Sequence, residues 1–424
     1  MTTTKNNEHK KLNAPNKQEQ NQICLDSAEC EGLSTKGNVP NLRFPEFQGE
    51  WEKMRLDAFT KRVMRKNKSN QSRLPLTISA QYGLVDQIKI FNKIVASTDL
   101  SNYYLLKKGE FAYNKSYSSD YPWGAIKRLD NYDQGALSSL YICFTPQDNV
   151  VSDFILQYFE SPKWHKGISE IAVEGARNHG LLNVSVQDFF HTYHYVPKDK
   201  KEQIKISKLL MLLDERIATQ NKIIEDLKKL KCAIIEKVYS EIQGKEYSYG
   251  QLFDVINERN KQMEYSNILS ASQEKGMVNR DDLNLDIQFE RSNINTYKIV
   301  RKGDYVIHLR SFQGGFAFSD KLGVCSPAYT ILRPNSLLEY GYLSNYFTSQ
   351  RFIKSLVLVT YGIRDGRSIN VDEWLRMKIT IPPKEHQQYI VKVIGTFERK
   401  IEDEEAYAAQ LSIQKQYLLR QMFI

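Results

Sequence analysis

The chain has 424 residues, 41% hydrophobic and 26% charged, which is the balance of a folded protein too long for a single core. Its net charge of +9 suits a polyanionic partner such as DNA, and it equally suits a basic enzyme. Five scattered cysteines without a CxxC pair argue against a disulfide framework and a structural zinc site. No apolar stretch approaches the roughly 20 residues that span a bilayer, so we expect a cytoplasmic protein without a membrane partner.

The predicted elements alternate between globular and helical segments. Residues 1–38, rich in Lys, Asn, Gln and Glu, are predicted to form a disordered polar tail. Residues 39–197 are rich in Tyr, Phe, Val and Ile and carry the turn KKGEFAYN, which predicts an α+β module. Residues 198–244 lack Pro throughout and lack Gly until Gly244, which predicts one helix about 65 Å long at about 1.5 Å per residue.

The same order follows a second time. Residues 245–383 carry the turn RKGDYVIH and are predicted to form a second α+β module. A second long helix is predicted over residues 384–424, directly after Pro382 and Pro383.

The two predicted helices repeat each other. Residues 206–238 match residues 390–422 at a constant offset of 184 with no gap, and both keep the 4-3 apolar spacing of a helix seam. Both seams also turn polar at the same two places, Gln220 with Glu404 and Lys231 with Lys415. One helix cannot bury such a seam alone, so we predict an antiparallel coiled coil; the alternative is two independent bundle helices. The apolar seam positions are Ile206, Leu210, Leu213, Ile217, Ile224, Leu227, Ile234 and Val238 in the first helix, and Ile390, Ile394, Phe397, Ile401, Ala408, Leu411, Leu418 and Met422 in the second.

The globular modules repeat as well, with offsets that drift between about 184 and 195 and so indicate short loop insertions. GALSSLYICFTP at 135–146 matches GVCSPAYTILRP at 323–334, and QYFES at 157–161 matches NYFTS at 345–349. Further along, Gly175, Arg177, Asn183 and Val184 fall on Gly362, Arg364, Asn370 and Val371. The chain is therefore predicted to be a tandem duplication of a globular module followed by a long helix.

With these features the chain resembles the specificity subunits of type I restriction-modification systems over residues 39–424. The resemblance rests on the opening NVPNLRFPEFQGEWEKMRL, on a Lys/Arg-Gly-Asp/Glu turn in each module, and on the phrase VPKDKKEQIKISKLLMLLDERI with its near-echo IPPKEHQQYIVKVIGTFERKI. It implies two target-recognition domains, 39–197 and 245–383, that each read one half of a bipartite site on double-stranded DNA. The helices would act as spacers that set the gap between the half-sites.

The resemblance also implies partners. Two methyltransferase subunits would dock on the chain, and two restriction subunits would join them. S-adenosylmethionine, ATP and Mg would belong to those partners, so this chain is expected to hold no cofactor or metal and to be non-catalytic.

Candidate DNA contacts lie in polar loops between apolar segments, where a rigid scaffold presents binding groups. A solvated surface is the alternative for each loop, and a structural role is the alternative for the shared Arg177 and Arg364. The candidates are Lys61, Arg62, Arg65 and Lys66 in a segment (61–73) with six positive charges and no negative one; Lys115, Ser116 and Tyr117, matched by Arg310, Ser311, Phe312 and Gln313; and Arg177, Asn178 and His179, matched by Arg364, Asp365 and Arg367.

Catalytic motifs are missing from the sequence. The single Pro-Pro pair lacks the acidic or Asn residue of an adenine methyltransferase, and neither a GxxxxGK[ST] loop nor a GxSxG elbow occurs. His191 and His194 alternate with Tyr193 and Tyr195, which predicts a strand instead of a zinc site. A fused nuclease or methyltransferase and a protein-binding coiled-coil adaptor stay open as alternatives.

Overall fold

The computed structural model describes residues 37–79, 82–91, 99–172, 180–272, 275–282, 291–308, 315–361 and 368–424. The predicted tail therefore lies outside the described residues except for its last two. The chain divides into two compact units, one of 1–218 with 409–424 and one of 219–408, so the division falls inside both long helices.

The first unit is an α+β module followed by the start of a long helix. Its strands are β1 (Glu52–Arg55), β2 (Thr60–Arg62), β3 (Pro75–Ser79), β4 (Gly83–Asp86), β5 (Tyr104–Lys107), β6 (Phe111–Asn114), β7 (Ala125–Arg128), β8 (Gln134–Leu137), β9 (Ile142–Pro146) and β10 (Tyr193–Val196). Its short helices are α1 (Leu56–Phe59), α2 (Gln87–Phe91), α3 (Ser152–Glu160), α4 (His165–Ile171) and α5 (Val186–His191), with 3-10 turns at Lys68–Asn70 and Pro162–Trp164. The long helix α6 spans Lys200–Ser240.

The second unit has the same make-up. Its strands are β11 (Lys245–Ser248), β12 (Phe253–Ile256), β13 (Leu269–Ser272), β14 (Gly276–Asn279), β15 (Lys298–Val300), β16 (Tyr305–Ile307), β17 (Phe316–Phe318), β18 (Gly323–Cys325), β19 (Thr330–Pro334), β20 (Thr360–Tyr361), β21 (Ser368–Ile369) and β22 (Lys378–Ile381). Its helices are α7 (Gln350–Ser355), α8 (Val371–Arg376) and α9 (Lys384–Gln421), with 3-10 turns at Tyr249–Gln251, Arg280–Asp282, Arg291–Thr296, Tyr346–Thr348 and Leu356–Val359.

Strand topology repeats between the modules. The order β2-β9-β6-β7 in the first module recurs as β12-β19-β16-β17 in the second, and the pair β1-β10 recurs as β11-β22. The first module also has a sheet of order β4-β3-β8-β5, in which β3 and β8 are parallel. The second module has the pairs β13-β14 and β15-β18, with a parallel bridge between Ile268 and Val324. The duplication predicted from sequence is thus a duplication of fold.

The Lys/Arg-Gly-Asp/Glu turn has the same construction in both modules. Gly109 and Gly303 have φ of +86° and +98°, a left-handed conformation that favours glycine. The next residue in each turn is an acid whose carboxylate accepts the backbone N–H three residues earlier, at 2.8 Å for Glu110 and 2.8 Å for Asp304. Both acids are buried, so the turn is a fixed part of each scaffold.

The long helices pair through the predicted seam. Within the described residues every predicted apolar seam position is buried or half-buried. In the second unit the Gln220 amide donates to the Glu404 carbonyl at 3.3 Å, and the Lys231 ammonium lies 2.7 Å from Glu398. As the residue number rises along α6, the number of its partner on α9 falls. The helices therefore run antiparallel, as predicted.

The two seam lysines pair with acids that lie at equivalent positions of the repeat. Lys415, the equivalent of Lys231, contacts Asp214 in the first unit. Asp214 and Glu398 are themselves 184 residues apart, so the two ion pairs are copies of one another. A polar group at a seam favours the one register in which it finds its partner.

The first turn of each long helix is fastened to its module by a buried glutamine. Gln203 accepts the Val151 N–H at 2.7 Å and donates to the Pro197 carbonyl at 2.8 Å. Gln387 accepts the Glu339 N–H at 2.8 Å and donates to the Pro382 carbonyl at 3.0 Å. Buried amides of this kind are costly unless satisfied, so these bonds fix how each helix leaves its module.

The opening segment of the first module is also fastened to the helices. Arg43 Nε lies 2.7 Å from Glu202 Oε1, and Trp51 Nε1 donates to the same oxygen at 3.2 Å. The Leu42 N–H donates to the Gln421 carbonyl at 2.9 Å, which places the opening beside the end of α9.

Two further features bear on the sequence predictions: membrane-spanning helices and the state of the cysteines. No helix in the described ranges is long and apolar enough to cross a membrane. Of the cysteines that the structure describes, Cys143, Cys232 and Cys325 are all free.

We expect Lys231→Glu to lower the thermal unfolding midpoint of the full chain, because it sets two acids opposite each other and costs about 0.5–1 kcal/mol. The swap Lys231→Glu with Glu398→Lys should recover most of that loss. Lys228→Glu is the matched control, since Lys228 pairs with Glu405 at more exposed positions on the same helices. A swap no more stable than the single variant would contradict a role of this pair in register.

Candidate nucleic-acid interface

The basic segment 61–73 forms an edge strand and the loop after it. Lys61 and Arg62 lie on β2, which is at the edge of its sheet, and both side chains are exposed. The other four positive side chains of the segment are exposed as well: Arg65, Lys66, Lys68 and Arg73. All six charges are thus open to solvent along one short stretch of chain.

Arg65 and Lys66 have partners inside the module. Arg65 lies 2.7 Å from the largely buried carboxylate of Glu110 and donates to the Leu105 carbonyl at 3.1 Å. Lys66 donates to the Asn102 carbonyl at 2.8 Å, and its ammonium lies 4.3 Å from the Tyr104 ring centroid. These two cations hold the loop against the sheet, whereas Lys61 and Arg62 lack that role in the described part of the chain.

The predicted loop Lys115–Ser116–Tyr117 is held by the chain that follows the second predicted loop. The Tyr117 N–H donates to the Gly180 carbonyl at 3.1 Å, and the Leu182 N–H donates to the Lys115 carbonyl at 2.9 Å. Arg177, Asn178 and His179 lie outside the described residues. The first predicted loop therefore lies beside Gly180 and Leu182.

In the second module the described residues on either side of the predicted contacts are joined by hydrogen bonds. The His308 N–H donates to the Gly315 carbonyl at 2.7 Å, and β20 pairs with β21. Residues Arg310, Ser311, Phe312, Gln313, Arg364, Asp365 and Arg367 lie outside the described residues. Their roles stay predictions.

One repeated motif, a basic tripeptide, was not predicted from the sequence. The tripeptide Lys66–Asn67–Lys68 in the first module corresponds to Arg259–Asn260–Lys261 in the second, at an offset of 193. In both, the asparagine is buried and the lysine after it is exposed. The signal was present in the sequence, since this offset lies within the drift of the other matches, but three residues are too few to recognise without the strands around them.

Of the two histidines predicted to lie in a strand, His194 belongs to the buried scaffold. His194 lies in β10, as predicted, and its ring nitrogens contact the Tyr158 hydroxyl at 2.9 Å and the Thr192 hydroxyl at 2.7 Å. Burial lowers the pKa of His194 to about 3, so the ring is neutral. The strand prediction was wrong for His191, which lies in the last turn of α5, a helix that begins after its N-cap Ser185, whose side chain accepts the Asp188 N–H. Among the described residues no three His, Cys, Asp or Glu side chains form a group that could hold a metal ion.

Part of the chain is similar to one known protein family. Residues 244–412 match the family of the type I restriction modification DNA specificity domain. A search of curated proteins found no match.

Solved structures give the fold. The chain matches one from a structure of the complex assembly and conformational transition of the type I R-M system, with a TM-score of 0.56 and 16% identity, over 91% of this chain and 99% of that one. It also matches the type I restriction-modification system S subunit from M. genitalium, with a TM-score of 0.51 and 15% identity, over 91% and 99% of the two chains. At such identities the likeness concerns the fold, and it confirms the α+β class with two modules and paired long helices.

Replacing Arg65 should affect stability more than replacing its neighbours Lys61 and Arg62. We expect Arg65→Ala to destabilise the first module by about 1–3 kcal/mol, because it leaves the Glu110 carboxylate without its charged partner. Lys61→Ala with Arg62→Ala should change stability by less than about 0.5 kcal/mol, as exposed substitutions do. Thermal unfolding of the full chain measures both. An unfolding midpoint for Arg65→Ala equal to wild type would contradict the structural role of Arg65.

Proposed function

We propose that the chain reads DNA sequence for a type I restriction-modification complex, because residues 244–412 match the family of the type I restriction modification DNA specificity domain and the chain is similar in fold to an S subunit. The main support for this proposal is the repeated module. Two copies of one strand topology, with different loop sequences, suit two half-sites of a bipartite DNA site that differ in their bases. The module within 39–197 would read one half, and the module within 245–383 the other.

In this proposal the long helices set the distance between the half-sites. Helix α6 has 41 residues, about 60 Å at about 1.5 Å per residue. Its register against α9 is supported by the Lys231–Glu398 and Asp214–Lys415 ion pairs and by the Gln220–Glu404 contact. A spacer of one fixed register keeps the unread gap constant, which a bipartite site requires.

Partner subunits would carry out the methylation and the DNA cleavage. Two methyltransferase subunits would dock on the chain and bring S-adenosylmethionine, and two restriction subunits would bring ATP and Mg. Support for docking comes from the first unit, where Ile204, Met211 and Leu212 of α6 expose apolar surface to solvent. With Val151 they line a groove of about 450 Å³. Clustered exposed apolar side chains are a common mark of a protein interface.

Mapping methylated adenines across the host genome, with and without the gene, tests the proposed function. Deletion should abolish methylation of one split motif, and the restored gene should bring it back, because no other subunit supplies the recognition. The motif would also give both half-sites at once. A methylation pattern unchanged by deletion in a strain whose methyltransferase subunit is expressed would overturn the proposal.

Docking can be tested separately with Met211→Asp and Leu212→Asp together. These changes place two charges on the proposed apolar contact and should reduce co-purification of the methyltransferase subunit at least tenfold, by about 1.4 kcal/mol or more. Leu140→Asp is the control, since Leu140 is also an exposed apolar residue but lies in the turn between β8 and β9. Equal recovery of the partner with both variants would exclude this face of α6 as the contact.

A further inference from the structure

The segment that contains the shared basic tripeptide has the same length and the same strand–loop–strand order in both modules. Residues 60–79 correspond to residues 253–272 without a gap, from the start of β2 and β12 to the end of β3 and β13. The loop after the strand runs from Lys66 to Ser72 in the first module and from Arg259 to Tyr265 in the second. We call these two stretches the paired basic loops.

A buried asparagine closes each of the paired basic loops. The Asn67 side chain donates to the Ser72 carbonyl at 2.8 Å and accepts the Ser72 N–H at 2.8 Å. The Asn260 side chain does the same with Tyr265, at 2.7 and 3.2 Å. Two bonds from one planar amide fix both the position and the direction of the returning chain. Both loops are therefore rigid in the same way, although their sequences differ.

The two loops share one left-handed backbone position, and in the first loop Ser69 has a positive φ as well, of +54°. Asn70 and Met263 occupy equivalent positions, and their φ angles are +51° and +52°. Methionine rarely adopts this conformation, and the Met263 side chain is 60% exposed, so packing does not offset the strain. Strained backbone persists only where the surrounding structure holds it in place, and such residues cluster at functional sites.

The group that both loops present is a lysine. Lys68 and Lys261 directly follow the buried asparagines, and both side chains are exposed. Neither side-chain ammonium has a hydrogen bond or ion pair to any part of the chain that the structure describes. Each is thus a positive charge held on a fixed backbone and open to an anion.

We propose that the paired basic loops bind the sugar-phosphate backbone of duplex DNA, one at each half-site, with Lys68 and Lys261 contacting phosphates. This inference rests on the proposed function. Residues that read bases must differ between two modules that read different half-sites, whereas the phosphate backbone is common to both half-sites. A rigid lysine-bearing loop that recurs in both modules therefore fits the shared ligand. A lysine ammonium binds a phosphate as a point charge and carries no base preference.

The test uses the full chain assembled with its methyltransferase subunits. DNA affinity is measured by fluorescence anisotropy over a range of KCl concentrations, on a duplex with the methylated motif and on a shuffled duplex. Each lost phosphate contact should reduce the slope of log K against log salt by about 0.9, so Lys68→Ala with Lys261→Ala should reduce it by about 1.8. Affinity near physiological salt should fall about tenfold or more on both duplexes. Each single variant should give about half of the slope change.

Lys166→Ala with Lys354→Ala is the matched control. These lysines are also exposed and equivalent in the repeat, but they lie on α4 and α7 without an asparagine clamp. Removing them changes the net charge by the same amount and should leave the slope nearly unchanged. Thermal unfolding of each variant shows that the fold is retained.

Three outcomes would count against the inference. A slope for the loop variant equal to that of the control overturns the phosphate contact, while a wild-type preference for the motif duplex leaves the proposed function standing. A slope change from only one of the two single variants overturns the claim that the contact is repeated. A wild-type complex that does not distinguish the two duplexes overturns the proposed function, and the inference with it.

Discussion

The pairing of α6 with α9 is the constraint on which the rest of the structure depends. Each helix carries an apolar seam along most of its length and cannot bury that seam alone. The apolar residues supply the free energy of association without choosing a register, since a slide by one heptad would bury similar surface. The polar contacts make that choice, because Lys231, Lys415 and Gln220 lose their partners in any other alignment. Satisfied polar groups at a seam give specificity at some cost in stability.

Each module relies on this pairing for its own core. In the first unit, Leu419, Met422 and Phe423 from the end of α9 join the aromatic cluster around Trp51 and Phe154. In the second, Ile235 and Tyr239 from the end of α6 join the cluster around Trp374. Tyr239 and Phe423 are 184 residues apart, so the repeat extends from the helix seam into the module cores. Gln203 and Gln387 hold the first turn of each long helix against its module.

The parts of the fold that periodicity controls could be predicted from the sequence, and the parts that depend on single buried polar groups could not. The helices predicted over 198–244 and 384–424 are found at Lys200–Ser240 and Lys384–Gln421, because a long 4-3 pattern bounded by Pro has few other solutions. By contrast, Gln203, Asn67 and Asn260 look like ordinary surface residues in sequence, since nothing local shows that their amides are buried. The candidate loops were located by repetition, but Arg65 shows the limit of that method. An arginine in a basic segment gives no sign that its partner is Glu110, which lies far along the chain.

The burial of Phe423 in the first module has a consequence for how the chain acquires its structure during synthesis. The ribosome makes a protein from its N-terminus, so the first module emerges before the second. Its aromatic core nevertheless contains Leu419, Met422 and Phe423, which are made only after the whole of the second module. Until then the surface that these side chains cover stays open to water. Completion of the first module is therefore a late event, and it coincides with the closing of the helix pair.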